Sequence, residues 1–257
     1  MTAQAVIQRQ YNQLQVRIFP TAVLLGEQAA ADLSAILQES IAQRGEARLI
    51  VATGNSQLTF MEALRRRRDI AWDRVDVFHM DEYLGMADTH PASFRRYLRE
   101  KLVDHVHPRN FFGMLGDAPD AEAEMRRYTE LLRARPIDAV VMGIGENGHL
   151  AFNDPPADFT TRELVHIVHL DEACRRQQLG EGWFPTLNDV PTEAMSLTVP
   201  ALLMPRHQLV VVPERRKAAA VKAALEGPIT PTCPASILQE QAHARLYLDA
   251  EAASLLA

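Results

Sequence analysis

A histidine and an aspartate stand five residues apart in Gly143-Ile144-Gly145-Glu146-Asn147-Gly148-His149-Leu150-Ala151-Phe152-Asn153-Asp154-Pro155-Pro156. Gly143, Gly145 and Gly148 interrupt an apolar run that begins at Ile137, and residues without Cβ let a backbone turn sharply and approach a ligand closely. A strand that ends in glycines and then presents His and Asp is what an active site at the carboxyl end of a sheet looks like. A glycine-rich turn bearing a solvated His is the alternative. A second pair, Asp81-Glu82, ends the apolar run Val75-Asp76-Val77-Phe78-His79-Met80. Burial and a like-charged neighbour raise a carboxylate pKa toward neutrality, which suits a general base. The competing reading is a solvated loop. Thr53-Gly54-Asn55-Ser56 lies between a buried run, Arg48–Ala52, and a helical pattern through Leu58, Met61 and Leu64. Free N–H groups and the positive end of a helix favour an anion there. The Gly-Lys-Ser/Thr ending of a Walker loop is absent, and a plain N-cap by Ser56 is the bland reading. Lys217 falls in the first turn of an Ala-rich helix, just after the run Gln208–Val212. A lysine there opposes the helix dipole, so an anion is a better reason for it than stability.

The elements that must position these groups alternate along the chain. Helical spacing runs over 26–44, with Gly45 as a C-cap. Further helices are predicted over Pro91–Leu102, Ala121–Arg133, Asp171–Gln178 and from Lys217 to Gly227. Strands are predicted at Arg48–Ala52, Val75–Met80, Ile137–Met142, Glu163–Leu170, Gln208–Val212 and Ala244–Asp249, with Met195–Val199 a short strand or turn. Gly180-Glu181-Gly182 marks a flexible spot that reads as a lid or a mobile surface loop. His105 and His107 are two apart but lack a third ligand nearby, and read as loop residues. Alternating strands and helices with short connections imply an α/β fold, a parallel sheet with helices on both faces.

The 257 residues suffice for one large domain or two small ones; 47% are apolar and 23% charged, which is ordinary for a globular chain. A net charge of −6 argues against nucleic-acid binding, and Arg65–Arg68 reads as the end of a surface helix. Cys174 and Cys233 lie far apart and offer no metal spacing or disulfide framework, so a reducing cytoplasm is the expected setting. Met1–Phe19 is polar and lacks a signal-peptide core. No apolar run reaches the ~18 residues of a membrane span.

Three segments resemble the glucosamine-6-phosphate deaminases. Phe78-His79-Met80-Asp81-Glu82-Tyr83-Leu84-Gly85 is similar to their acidic motif, Gly143–Pro155 to their catalytic histidine motif, and Ala52-Thr53-Gly54-Asn55-Ser56 to their phosphate loop. Cys233-Pro234-Ala235-Ser236 followed by a strand also fits. The order and spacing hold from about Arg48 to the C-terminus. The wider superfamily includes 6-phosphogluconolactonases. The resemblance implies a three-layer αβα sandwich with a mostly parallel, doubly wound sheet, formed by residues 1–257 as one domain. It implies no metal or organic cofactor, a hexosamine phosphate as the small-molecule partner, and neither nucleic acid nor membrane; it allows a homo-oligomer. The implied reaction turns glucosamine or galactosamine 6-phosphate and water into a ketohexose 6-phosphate and ammonia. By position, Asp81 is then the base between C2 and C1, His149 assists ring opening and Asp154 orients His149. Thr53, Gly54, Asn55, Ser56 and Lys217 hold the phosphate.

The chain departs from the pattern at three places. Asn147 stands where many members have Asp, and Asp154 where Glu is usual. The region of the family's phosphate-binding arginine reads Arg175-Arg176-Gln177-Gln178-Leu179-Gly180-Glu181-Gly182-Trp183-Phe184, with Arg175 or Arg176 as the substitute. Two other activities fit the same resemblance: a sugar-phosphate lactonase that uses His149 as base, and a non-catalytic sugar-phosphate sensor.

Overall fold

The structure is a computed structural model that describes residues 6–257. The first five residues of the polar amino-terminal stretch lie outside it. The strands are β1 (Ile7–Tyr11), β2 (Leu14–Phe19), β3 (Ala47–Val51), β4 (Val75–His79), β5 (Asp81–Tyr83), β6 (Asn110–Phe112), β7 (Ala139–Met142), β8 (Val165–His169), β9 (Glu193–Leu197), β10 (His207–Val212) and β11 (Ala244–Asp249). The helices are α1 (Ala22–Arg44), α2 (Leu58–Arg66), α3 (Phe94–Leu98), α4 (Asp104–Val106), α5 (Ala121–Arg133), α6 (Glu172–Gly180), α7 (Val199–Leu203) and α8 (Ala218–Glu226).

Side chains alternate across a strand, so a strand apolar at every position must be covered on both faces. The central strands obey this. Val140 and Met142 pack on one side with Ile50, Phe78, Val210 and Leu246, under Tyr128 and Leu132 of α5 and Val221 and Leu225 of α8. Ala139 and Val141 face the other way with Leu49, Val51, Val77 and Val211, under Leu33 and Leu37 of α1 and Phe60 and Leu64 of α2. Each such side chain contributes ~1.5–3 kcal/mol on burial. The result is three layers, with an eight-stranded sheet in the order β1-β2-β11-β10-β7-β3-β4-β6. Only the β1–β2 pair is antiparallel. Ile50 sits in register between Phe78 and Val140. From β3 the chain builds outward through β4 and β6, and later on the other side through β7, β10 and β11. The reversal between β3 and β7 is a topological switch point, where α/β sheets bind ligands.

Three features differ from the sequence expectation. The amino-terminal hairpin was not anticipated, although Leu14, Val16 and Ile18 are buried at alternate positions. Beyond the switch point, β5, β9 and β8 form a small antiparallel sheet, tied to the main one by Leu197 N–H donating to Met80 O at 2.7 Å. The helix expected from Pro91 starts later, because Ser93 is the N-cap and accepts from Arg96 N. It then loosens into a π-helical stretch over Arg99–Val103.

Candidate active site

The loops after β3, β4, β7 and β10 converge on one cavity, whose lining includes Thr53, Gly54, Ser56, Asp81, His149 and Lys217. Four segments far apart in sequence meet there because each follows a parallel strand whose carboxyl end faces the same way.

The His149 loop is closed on itself. Gly145 N–H donates to His149 O at 2.9 Å and Gly148 N–H to Gly145 O at 3.1 Å. A Cβ on Gly145 would lie 2.3 Å from the His149 ring, so only a hydrogen fits beneath the imidazole. His149 Nδ1 lies 3.1 Å from Asp154 Oδ1, which also accepts from Asn147 Nδ2 at 3.0 Å. Asn147 Oδ1 in turn accepts from His149 N–H at 3.0 Å. A carboxylate can only accept, so the proton rests on Nδ1 and Nε2 is left for a ligand. Asp154 therefore reaches His149 despite being one methylene shorter than Glu. Burial alone would raise its carboxyl, but hydrogen bonds from His149, Asn147 and Cys174 hold it below the usual range.

Asp81 and Glu82 point to opposite faces of β5, and this divides their roles. Asp81 lines the cavity, and its Oδ1 has no hydrogen-bond partner among the described residues. Burial pushes its carboxyl up to about 8, and the Glu82 charge adds to the effect. Glu82 is fully buried and accepts from Ser93 Oγ at 2.7 Å, Arg95 N at 3.1 Å and Phe94 N at 3.2 Å. It holds the start of α3 and has no face toward the cavity. His79, at the end of β4, is also internal: its Nε2 accepts from Met114 N–H at 2.7 Å. Burial and the Arg95 charge depress it to about 3.

The far end of the cavity is built by the turn after β3. Gly54 has φ +98, a region that other residues enter only with strain. Its carbonyl is held by Tyr97 Oη at 2.8 Å. A 3₁₀ turn over Asn55–Gln57 leads into α2 without a side-chain cap, so Ser56 is not the N-cap that the bland reading required. Lys217 is 3% exposed and lines the cavity from the turn after β10; burial and Arg216 lower its pKa. Asp249 shapes that turn by accepting from Glu214 N–H at 3.2 Å.

Two placements correct the sequence expectation. Arg175 donates to the carbonyls of Leu187 and Val190, which ties α6 to the chain that follows. Arg176 pairs with Glu172 on the exposed face of α6. Neither lines the cavity, because both project from the faces of α6 turned away from it. Asn55 does not border the open cavity because Glu181 sits over it, accepting from its amide N–H through Oε2 and from its Nδ2 through the main-chain carbonyl.

The contributions of Gln177, Gln178 and Glu181 were missed. All three line the cavity. Gln177 Oε1 accepts from Glu146 N–H at 3.1 Å, and Gln178 Oε1 from Tyr83 Oη at 2.9 Å. The glycines flanking Glu181 were the one available signal. His149, Asp154 and Cys174 bring one ligand atom each within 4.8 Å of one another, a donor set that zinc accepts. The His149–Asp154 hydrogen bond already accounts for two of the three, and burial together with Asp154 keeps the Cys174 thiol protonated.

A family model described as glucosamine-6-phosphate isomerases/6-phosphogluconolactonase matches residues 20–248. A protein of Exiguobacterium sibiricum named glucosamine-6-phosphate deaminase is 37% identical over 227 residues, 86% of each chain. One of Listeria monocytogenes with the same name is 35% identical over 221 residues, 86% of this chain and 92% of its own. Among solved structures, one described as a monomeric glucosamine-6-phosphate deaminase superposes with TM-score 0.86 at 30% identity, covering 93% of this chain and 99% of its own. A 6-phosphogluconolactonase from Shewanella baltica shares the fold, with TM-score 0.73 at 24% identity over 95% of this chain and 99% of its own.

Proposed function

Because this chain belongs to the glucosamine-6-phosphate isomerase/6-phosphogluconolactonase family, we propose that it is an enzyme that isomerises and deaminates a 2-amino-2-deoxyhexose 6-phosphate, releasing ammonia and a ketohexose 6-phosphate. The observation that carries the reading is Asp81, a buried carboxyl with an unpartnered oxygen and a proton affinity near neutrality, on the same cavity as His149.

The chemistry follows from the two ends of the cavity. The turn Thr53–Ser56 and Lys217 hold the phosphate, which fixes the sugar carbons against Asp81. Such positioning supplies ~7–11 kcal/mol of barrier reduction in good cases. His149 Nε2 passes a proton from the anomeric hydroxyl to the ring oxygen and opens the pyranose, while Asp154 and Asn147 hold the imidazole. Asp81 then removes the proton on C2. The electron pair moves into a C1–C2 double bond, and the carbonyl oxygen at C1 takes a proton from water. Return of the proton from Asp81 to C1 leaves a C2 iminium, to which water adds with release of one proton to the hydroxide left by the earlier step. Ammonia departs and the ketone remains.

Lactone hydrolysis on the same frame would use His149 to activate water and would give Asp81 no proton to move. The separating experiment is turnover in deuterium oxide with glucosamine and galactosamine 6-phosphates. The deaminase reading expects ammonia and deuterium at C1 of the product, and is refuted if the protein hydrolyses 6-phosphogluconolactone and releases no ammonia. Binding of the sugar phosphate without any turnover would instead support a sensor. Every residue used here comes from one chain, so the chemistry is within reach of a monomer. No helix among the described residues is long and apolar enough to cross a membrane; a cytoplasmic setting is part of the proposal.

A further inference from the structure

We propose that Glu181 is an internal occupant of the phosphate cradle, and that the substrate phosphate must evict it to enter. The inference rests on the cradle assignment made above. Glu181 Oε2 accepts from Asn55 N–H at 3.3 Å, while Asn55 Nδ2 donates to Glu181 O at 3.4 Å. The same carboxylate lies 3.4 Å from where a Cβ on Gly54 would be, so it rests directly on the turn that carries the free amides. Lys217 and Arg216 both feel its charge. A carboxylate on backbone N–H, beside a buried lysine, uses the same donors that a phosphate would use.

Glu181 lines the cavity from the side that closes over the turn, so a phosphate on the same amides meets its carboxylate. Phosphate entry and Glu181 departure therefore belong to one event. Glu181 directly follows α6 and precedes Gly182, whose φ is +87. Its departure loosens the end of the helix that brings Gln177 to Glu146 and Gln178 to Tyr83. A dianionic phosphate offers three oxygens against two and a larger charge, so it displaces the carboxylate. An unphosphorylated hexosamine brings nothing that competes. Glu181 thus determines specificity twice, by excluding unphosphorylated sugars and by making phosphate the trigger that releases the end of α6.

Calorimetric titration with inorganic phosphate tests this on the full chain, comparing wild type with Glu181→Gln and Lys217→Met, alongside hydrogen exchange of the amides over 175–184. A latch lowers apparent affinity by the fraction of molecules with the cradle free. The expected result is phosphate binding about tenfold tighter in Glu181→Gln and weaker in Lys217→Met. Lid exchange should be faster in phosphate-free Glu181→Gln, and phosphate should speed it in wild type. Unchanged or weaker phosphate binding in Glu181→Gln, with Lys217→Met still impaired, overturns the latch and leaves the cradle standing. Tighter binding with unaltered lid exchange also overturns it, since Glu181 would then be only a repelling charge. Phosphate binding to none of the three proteins overturns the cradle and the latch together.

Discussion

Replacing Asp81 with Asn separates the carboxyl's chemistry from its place in the fold. Asn keeps the shape and cannot ionise, so it imitates the protonated Asp81 that prevails in the resting protein below pH 8. As a general base Asp81 supplies ~10²–10⁴-fold, and ammonia release should fall by at least that factor while the protein stays folded. In wild type, kcat/KM should rise with pH along a limb centred near 8, as Asp81 gives up its proton. Stability provides an independent reading. The folded state holds this proton up to about pH 8, the unfolded chain only to about 3.8. Between those values the folded state binds more protons, so stability is present in full below pH 3.8 and is lost as pH rises through 8. The interval from 3.8 to about 8, at 1.36 kcal/mol per pH unit, sets a ceiling of roughly 6 kcal/mol. Urea unfolding of both proteins at pH 4 to 9 gives the comparison, and their difference cancels every other titrating group. Wild type should lose several kcal/mol relative to Asp81→Asn across that range. Parallel curves would refute the buried, proton-holding carboxyl, and undiminished ammonia release would remove Asp81 from the mechanism.

Three other substitutions probe the remaining parts of the site. Asn147→Asp sets a second carboxylate against Asp154, whose oxygen now takes the amide N–H at 3.0 Å. One of the pair must hold a proton, so kcat should fall about tenfold and the ascending limb of its pH profile should move to higher pH. Gly145→Ala drives a methyl into the imidazole from 2.3 Å. A shift of about 1 Å in a reacting group costs about 10²-fold, so kcat should drop by that order with little change in the urea midpoint. Lys217→Met removes a charged donor worth ~1.5–3 kcal/mol, so KM for the sugar phosphate should rise about 10- to 100-fold, while kcat measured at saturation changes less.

The parallel frame was legible because its strands are apolar at consecutive positions and end in glycine or acidic residues. Ile137–Met142 and Val75–Met80 carry both signals, and each delivers a site residue at its carboxyl end. The hairpin β1–β2 was hidden by its outer strand: Ile7–Tyr11 is mostly exposed and reads as polar chain. The small sheet was hidden because β5 spans only Asp81–Tyr83, too short for any alternation to register. Its existence decides that Asp81 faces the cavity and Glu82 the start of α3, a division that two adjacent carboxylates cannot announce by themselves. The arginine expectation failed for a related reason. Spacing placed Arg175 and Arg176 near the anion, but facing depends on how α6 is rotated, and its buried residues Cys174 and Gln178 turn the two guanidinium groups outward.

Two departures from the family pattern leave the His149–Asp154 hydrogen bond in place. Shortening Glu to Asp at 154 draws the carboxylate back toward the His149 loop, where its Oδ1 meets the residue 147 side chain as well as the imidazole. An aspartate at 147 would oppose it. An asparagine donates through Nδ2 and, through Oδ1, accepts from His149 N–H, so one side chain braces both partners. Cys174 adjoins the same carboxylate from α6, and so the orientation of His149 and the seating of α6 meet at one residue. A lid that lifts when phosphate displaces Glu181 would withdraw one of the donors holding Asp154. The hydrogen bonding that orients His149 through Asp154 is then coupled to occupation of the far end of the cavity, so that an anion bound there would act on the chemistry as well as on position.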